Sequence, residues 1–312
     1  MEESNQFSPK VEHRGGNART RKDRHTPQEC ADVLTDVFAR APTAPRDVFT
    51  TSIFALSMCA PWKEAELLSL PTDLERSGHN GIDCYGLRFF PKEGRKPDIK
   101  RIPNVMVPIA KEAIRRIHQI TDVPRQLAKW LENEPARFFR HRDCPDVDDD
   151  QPLTAQQASL ALGTESLRGL GLSAVDRAHS LNSLWQWALS NRPKAFPWLK
   201  RPLKYSDSLF CMTKDLIHNV QGSSAVILWV PEINAFNADV RPQTGSSNIF
   251  QRWGCDPTLT WSFEKARHLL STAGAQGVSP SSEIARWATR ADPKQDRVYS
   301  HRSESEMLEH QS

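Results

Sequence analysis

The chain has 312 residues, of which 38% are hydrophobic and 25% are charged, and its formal net charge is +3. This length is enough for one large or two modest domains with a sizeable buried core, and the composition is that of an ordinary globular protein. No apolar run approaches the roughly 20 residues that a membrane-spanning helix needs, and the first residues lack the apolar segment of a secretory signal. We therefore expect a cytoplasmic protein without a membrane partner.

The basic residues are concentrated in two segments. Residues 88–118 hold nine Lys or Arg against three acids, and residues 286–302 hold five against two. Acidic charge lies elsewhere, most densely in residues 143–150 (DCPDVDDD). Such segregation indicates a face that binds a polyanion, although solvated charged faces give the same pattern.

The six cysteines are scattered, and no two have C-x-x-C spacing. We expect reduced thiols that serve as small packing residues. A zinc site built from His141, Cys144, Cys211 and His218 is an alternative that the spacing does not favour. We expect neither a metal nor an organic cofactor.

The first predicted element is a polar, basic tail over residues 1–26, which we expect to be disordered. Thr26 followed by Pro27 and Glu29 predicts a helix start, with Thr26 as the N-cap. Residues 47–59 are apolar on several faces and predict a buried helix.

A short helix and a β-hairpin follow. After Pro61 a helix is predicted over 63–70, and residues 82–90 and 99–107 predict two strands joined by the basic turn 92–96 (KEGRK). The apolar spacing changes from helical to alternating only in this region, so the expected fold is mainly α with one small β-hairpin or sheet.

The remaining chain is predicted to be helical around a less regular middle part. Pro108 opens a helix with Ile109, Ala113 and Ile117 at helical spacing, and the residues from 122 to 250 contain short helical patches, many Pro and many Trp. Further helices are predicted over 262–275 and 280–288. The chain ends in a polar tail.

Three segments resemble the tyrosine recombinases, the phage-integrase family of DNA strand transferases. Residues 267–301 (RHLLSTAGAQGVSPSSEIARWATRADPKQDRVYSH) resemble the family's C-terminal box, in which an Arg-His pair opens a helix and a Tyr follows a second helix and a polar loop. Residues 60–70 (APWKEAELLSL) are similar to the first arginine box, and residues 90–103 to the catalytic-lysine hairpin. Three boxes in the family's order are more specific than any one of them.

The resemblance implies a tyrosine-recombinase-like catalytic core with an insertion. Residues 27–121 would form the first part of the core, residues 122–250 the insertion, and residues 251–303 the C-terminal catalytic box, with a tail over 304–312. The implied partner is double-stranded DNA, with self-association on the DNA and contacts to other proteins of the same mobile element.

The family's reaction needs no metal and no nucleotide. A tyrosine oxygen attacks a DNA phosphodiester, forms a 3′-phosphotyrosine and releases a 5′-hydroxyl. The covalent intermediate conserves the bond energy until a second 5′-hydroxyl, on a different strand, reverses the step. Cations must already surround the phosphate, because negative charge grows on it in the transition state.

The resemblance assigns a role to each matched residue. Tyr299 is the nucleophile, and the other two tyrosines of the chain lie in a strand and in the insertion. Arg267 grips the scissile phosphate, Arg290 supplies a further phosphate contact, and Lys92 protonates the leaving oxygen. The basic residues that compete with Lys92 for this last role are Lys96, Lys100 and Arg101.

Two positions depart from the family pattern. Lys63 stands where the first arginine is expected, so the charge remains but the bidentate fork is lost. Glu264 stands three residues before Arg267, where relatives carry His or Lys, and its carboxylate would repel the phosphate although it could accept the tyrosine proton. The alternatives are therefore a catalytically impaired DNA-binding accessory of a mobile element and a helical protein-interaction module.

Overall fold

The computed structural model describes residues 25–77, 85–91, 96–164, 167–172, 179–213, 216–217, 224–229 and 232–275. Within these ranges, helices are the main element and the strands form three small antiparallel sheets. The expected class, mainly α with a small sheet, is confirmed at this level.

The helices of the described ranges are α1 (Pro27–Ala39), α2 (Pro45–Cys59), α3 (Glu64–Leu67), α4 (Val107–Asn133), α5 (Ala155–Leu162), α6 (Leu181–Ser190), α7 (Ile233–Asp239), α8 (Ile249–Arg252) and α9 (Phe263–Ala275). The strands are β1 (Glu75–Ser77), β2 (Tyr85–Phe89), β3 (Asp98–Ile102), β4 (Trp198–Lys200), β5 (Leu203–Lys204), β6 (Met212–Thr213) and β7 (Leu228–Trp229). The sheets are β1-β2-β3, β4-β5 and β6-β7.

The start of α1 has the predicted cap. The backbone N–H of Glu29 donates to Thr26 Oγ1 at 3.2 Å, and the N–H of Thr26 donates to the Glu29 carboxylate at 2.8 Å. Two N–H groups that the helix leaves without partners are satisfied in this way. Pro27 takes the first helical position, where its missing N–H costs nothing.

Helix α2 is the centre of the first hydrophobic core. Every residue from Asp47 to Cys59 is buried, and α1, α4 and α9 all pack against this helix. The Thr51 and Ser57 hydroxyls donate to carbonyls of the same helix, those of Asp47 and Phe54, each at 2.7 Å. The predicted buried helix is confirmed.

The sheet near residues 75–102 differs from the predicted hairpin in two ways. The strand expected over 99–107 ends at Ile102, because Pro103 cannot continue the ladder and a 3-10 turn at Asn104–Met106 leads into α4. An additional edge strand, β1, pairs with β2, and its sequence ERS carries no apolar alternation that could have revealed it. The helix predicted over 63–70 is also shorter, since α3 spans four residues.

Helix α4 joins two hydrophobic cores. Ile109 and Ile117 in its first half belong to the core around α2, whereas Leu127 and Leu131 in its second half belong to a separate core with α5 and α6. The predicted boundary at residues 121 and 122 therefore lies inside a continuous helix. The first core also takes side chains from the region predicted as an insertion; these are Leu209, Phe210, Met212, Ile217, Phe236, Val240, Ile249 and Phe250.

A buried ionic network fastens the N-terminal end of α2 to α7 and α8. Arg252 donates to both carboxylate oxygens of Asp239, at 2.6 and 2.7 Å, and its Nε donates to Asp47 at 2.9 Å. Arg46 and the Thr50 hydroxyl contact the same Asp239 carboxylate at 2.7 and 2.6 Å. Because each charge faces an opposite charge, the attraction between them offsets much of the free energy that removing these groups from water costs.

Candidate nucleic-acid interface

Helix α9 presents Arg267 to solvent. Ser262 accepts the N–H of Lys265 at 3.2 Å and caps the helix, while Phe263 and Ala266 point into the first core. Arg267 and Glu264 are on the exposed side. Among the described residues, neither side chain has a hydrogen-bond or ion-pair partner, so Arg267 is an available cation.

Lys63 is held at the surface immediately before α3. The preceding Trp62 is buried and packs edge-to-face on Phe89, with ring centroids 5.6 Å apart. The N–H of Lys63 donates to the Glu66 carboxylate at 3.1 Å, which fixes the start of the helix. Its ammonium is exposed and contacts no acid in the part of the chain that the structure describes.

Lys63 and Arg267 lie on or beside elements that both pack against α2. This helix ends at Cys59, four residues before Lys63, and it contacts both α3 and α9. Phe54 of α2 packs edge-to-face on Trp261, just before α9, with centroids 5.1 Å apart. Helix α3 in the first of the three segments, and helix α9, which holds the described start of the last one, therefore contact the same buried helix.

The role of Lys100 differs from the one that the sequence left open. Its Nζ donates to the Pro61 carbonyl at 2.8 Å, lies 3.0 Å from the Glu66 carboxylate and stands 4.9 Å from the ring centroids of both Trp62 and Phe89. An ammonium with these partners is committed to the packing around α3. These contacts make Lys100 a structural residue and disfavour it for the proton-donor role that the resemblance implies.

The outer face of the three-stranded sheet is basic. Leu87 and Phe89 of β2 face the core, so the intervening Arg88 faces outward. In the register of the sheet, Gly86 lies between Arg76 and Arg101. Sequence reasoning missed Arg76, because β1 has no alternating pattern to mark it as a strand.

An acidic residue neutralises only part of this face. Asp73 contacts both Arg76, at 3.4 Å, and Arg88. Arg101 is exposed and has no hydrogen-bond or ion-pair partner among the residues that the structure describes. Lys111 stands over the Tyr85 ring at 5.3 Å and adds a further cation near the sheet.

Neither of the two described tyrosines is suited to be a nucleophile. Tyr85 is 7% exposed, and its hydroxyl donates to Glu75 Oε1 at 2.6 Å. Burial, together with the hydrogen bond and charge of Glu75, raises the pKa of Tyr85. Tyr205 is also 7% exposed, and burial raises its pKa as well. Both phenols therefore resist the deprotonation that nucleophilic attack requires.

A cleft with a volume of about 490 Å³ lies beside the first turn of α9. Its lining has mixed charge, with the carboxylate of Glu264 and the guanidinium of Arg241, and it also includes His268. Lys265, also in the lining, donates from Nζ to Thr260 Oγ1 at 2.6 Å. Glu264 is thus the expected site residue that faces the cleft, whereas Arg267 is exposed outside it.

Three of the expected site residues, Lys92, Arg290 and Tyr299, lie outside the described residues. The structure brings Lys63, Arg267 and Glu264 onto elements packed around α2, and it gives no position relative to them for the other three.

Two residues of the alternative zinc site, His141 and Cys211, make other contacts. His141 Nε2 is 2.9 Å from the Ala161 carbonyl, and the Cys211 thiol is buried and lies 3.7 Å from the Pro124 carbonyl. His218 lies outside the described residues. In the described ranges, no three His, Cys, Asp or Glu residues are grouped as a metal site would require.

Comparison with known proteins found no matching family model, no similar curated protein and no similar solved structure. Of the helices that the structure describes, none is both long and apolar enough to cross a membrane.

Proposed function

We propose that the chain is a DNA strand transferase of the tyrosine-recombinase kind, which acts through a 3′-phosphotyrosine at Tyr299. The observation that carries this proposal is the state of the other tyrosines. The chain has three, and Tyr85 and Tyr205 are buried with raised pKa values. A tyrosine-based reaction in this chain therefore depends on Tyr299.

The two exposed cations around α2 support the same proposal. Arg267 and Lys63 have no acidic partner in the described part of the chain, although many other basic side chains of this protein are paired. A phosphate that reached both would receive two parallel donors from the guanidinium and a point charge from the ammonium. Both groups would stabilise the charge that develops on the phosphorane.

The remaining roles follow from the chemistry of the step. Lys92 protonates the 5′-oxygen that leaves when the tyrosine attacks, and Arg290 adds a phosphate contact. Glu264 is the candidate base for the phenol proton, since it lines the cleft beside Arg267 and forms no ion pair with the described residues. No metal or cofactor takes part in this proposal.

A second candidate, a catalytically impaired DNA-binding accessory of a mobile element, is favoured by the charges at two positions. Glu264 places a negative charge one helical turn from Arg267, where it repels a phosphate. Lys63 supplies a point charge where the resemblance implies a bidentate arginine. Such a chain would keep the basic surface and bind DNA without cleaving it.

Covalent trapping on a nicked suicide duplex, made from the DNA that flanks the gene, tests the proposal. Wild-type protein should give a covalent protein–DNA complex that survives denaturation, and Tyr299→Phe should give none. Tyr205→Phe is the matched control and should keep the wild-type yield. A complex that persists in Tyr299→Phe would refute the assignment of the nucleophile.

The same preparation separates the accessory from a protein-interaction module. DNA retention without any covalent complex would identify the accessory. Binding that is absent at low salt would refute both DNA-based functions, because phosphate contacts dominate sequence-independent binding and are strongest at low salt.

A further inference from the structure

The segment from residue 192 to residue 204, RPKAFPWLKRPLK, contains five basic residues and no acidic residue. It includes β4 and β5, which pair through Trp198 with Lys204 and through Lys200 with Leu203. We call this segment the basic hairpin. It belongs to the second core, and the resemblance to tyrosine recombinases gives it no role.

A half-buried tryptophan positions two cations of the basic hairpin. The Arg201 guanidinium carbon stands 5.6 Å from the Trp198 ring centroid, and Lys204 Nζ stands 5.8 Å from it. Cations at this distance are attracted to the ring, so their side chains lose less freedom when they bind an anion.

The charge of the basic hairpin is largely uncompensated. Lys204 is paired with Glu132 at 3.0 Å. The other four basic residues form no ion pair within the described part of the chain; these are Arg192, Lys194, Lys200 and Arg201. The acidic loop at residues 143–150 does not neutralise them, since its Asp149 contacts Arg140 at 2.6 Å and its Asp150 accepts from Asn182 at 2.7 Å.

The base of the basic hairpin is attached next to the three-stranded sheet. The N–H of Thr72 donates to the Asp207 carbonyl at 2.8 Å, and the N–H of Leu209 donates to the Leu70 carbonyl at 2.8 Å. Lys204 is three residues from Asp207 and therefore within about 11 Å of it. Residue 72 is in turn four residues before Arg76 on the basic face of the sheet.

We propose that the basic hairpin is a second binding surface for the phosphate backbone of duplex DNA, beside the surface formed by the three-stranded sheet. A stretch of uncompensated cations held on one hairpin suits a polyanion with closely spaced charges. Duplex DNA is favoured over a single strand, because the Trp198 ring is half-buried and engaged by cations and so offers no free platform for base stacking. The choice of partner rests on the proposed function, but it holds equally for a DNA-binding accessory.

The test compares two charge-matched variants of the full chain. The hairpin variant is Lys194→Gln/Lys200→Gln/Arg201→Gln. The control variant is Arg137→Gln/Arg142→Gln/Arg168→Gln. It removes three exposed basic residues from other parts of the surface around the second core. Affinity for a duplex of about 30 base pairs is measured across a salt series, with each lost phosphate contact expected to reduce the slope of log K against log salt by about 0.9.

The hairpin variant should bind at least about tenfold more weakly at 0.1 M salt, with a slope reduced by up to about 2.7, and the control should stay near wild type. A charge-preserving variant, Lys194→Arg/Lys200→Arg/Arg201→Lys, should also bind like wild type. Equal losses in the hairpin and control variants, or no loss in either, would overturn the inference. So would an equal loss in the charge-preserving variant, because the defect would then be structural.

Two further readouts fix the partner and separate this inference from the proposed function. Wild-type protein that binds polyglutamate as tightly as the duplex would overturn the assignment to DNA and indicate an acidic protein partner. A Tyr299-dependent covalent complex together with a hairpin variant that binds normally would refute this inference alone. Weakened DNA binding in the hairpin variant without any covalent complex in wild type would support this inference and refute the strand-transferase proposal.

Discussion

Lys100 and Glu66 form a largely buried ion pair, with Nζ 3.0 Å from Oε2, in which the same carboxylate oxygen also accepts the N–H of Lys63. Lys100 additionally donates to the Pro61 carbonyl. The pair therefore connects β3 to both ends of the short loop that presents Lys63. The position of the exposed candidate site residue Lys63 therefore depends on the largely buried Lys100–Glu66 pair.

Lys100→Met should lower the free energy of unfolding by about 3 kcal/mol, because the Glu66 carboxylate would be left without its cation. Urea denaturation measures the change. Lys96→Met, at an exposed position of the same region, is the control and should change stability by less than about 0.5 kcal/mol. In a double-mutant cycle with Glu66→Gln, additive effects would contradict the pairing.

Asp239→Asn should be among the more destabilising conservative changes in the chain. The substitution keeps the size of the side chain but removes the charge that faces both Arg252 and Arg46. Removing the carboxylate that faces Arg46, and one of the two that face Arg252, should cost about 3 kcal/mol. Asp148→Asn, on the exposed acidic loop, is the control for thermal unfolding, and an equal effect of the two substitutions would show that the network contributes little.

His118 should make the protein less stable as the pH falls below neutrality. Burial lowers the pKa of this half-buried histidine, the charge of Arg125 lowers it further, and Glu75 and Asp122 oppose the shift. The pKa of histidine in the unfolded chain is about 6.5. As the pH falls below it, the unfolded chain binds a proton at His118 while the folded chain does not yet bind one. The free energy of unfolding therefore decreases until the pH has passed the lower pKa of the folded state.

Urea midpoints at pH 7.5 and 5.5 measure the effect of His118. His118→Gln should show a smaller loss of stability between these two values than wild type. If both proteins lose the same amount, protonation of His118 does not contribute and the loss arises from other groups.

Lys63→Arg should raise the yield of covalent complex on the suicide duplex by about tenfold, because a guanidinium restores two donors in a fixed plane. Its exposed position leaves room for the larger side chain. Glu264→His should raise the yield less, since it removes a repulsive charge and also the candidate base. If wild type already matches Lys63→Arg, Lys63 does not limit the reaction and the match of residues 60–70 to the first arginine box is wrong.

The sequence by itself determined the elements whose stabilising contacts are local. The start of α1 could be predicted from Thr26, Pro27 and Glu29, because the four residues of a capping box are consecutive in the sequence. The apolar run over 47–59 indicated the central helix, and the helix predicted over 262–275 is observed as α9 nearly to its ends. Periodicity and caps determine such elements wherever the rest of the chain lies.

Tertiary structure decided which charged residues remain available. Lys100 and Arg101 are neighbours in sequence and were equal candidates, but one is held against Glu66 and Trp62 while the other faces solvent. Asp47 and Arg252 meet across 205 residues, a pairing that no local pattern encodes. The pairing of β1 with β2 and the attachment of residues 207–209 to residues 70–72 likewise depend on the assembled cores. Burial and pairing are properties of the neighbours that folding brings together. For this reason the sequence indicated two basic segments but not which of their cations remain unpaired.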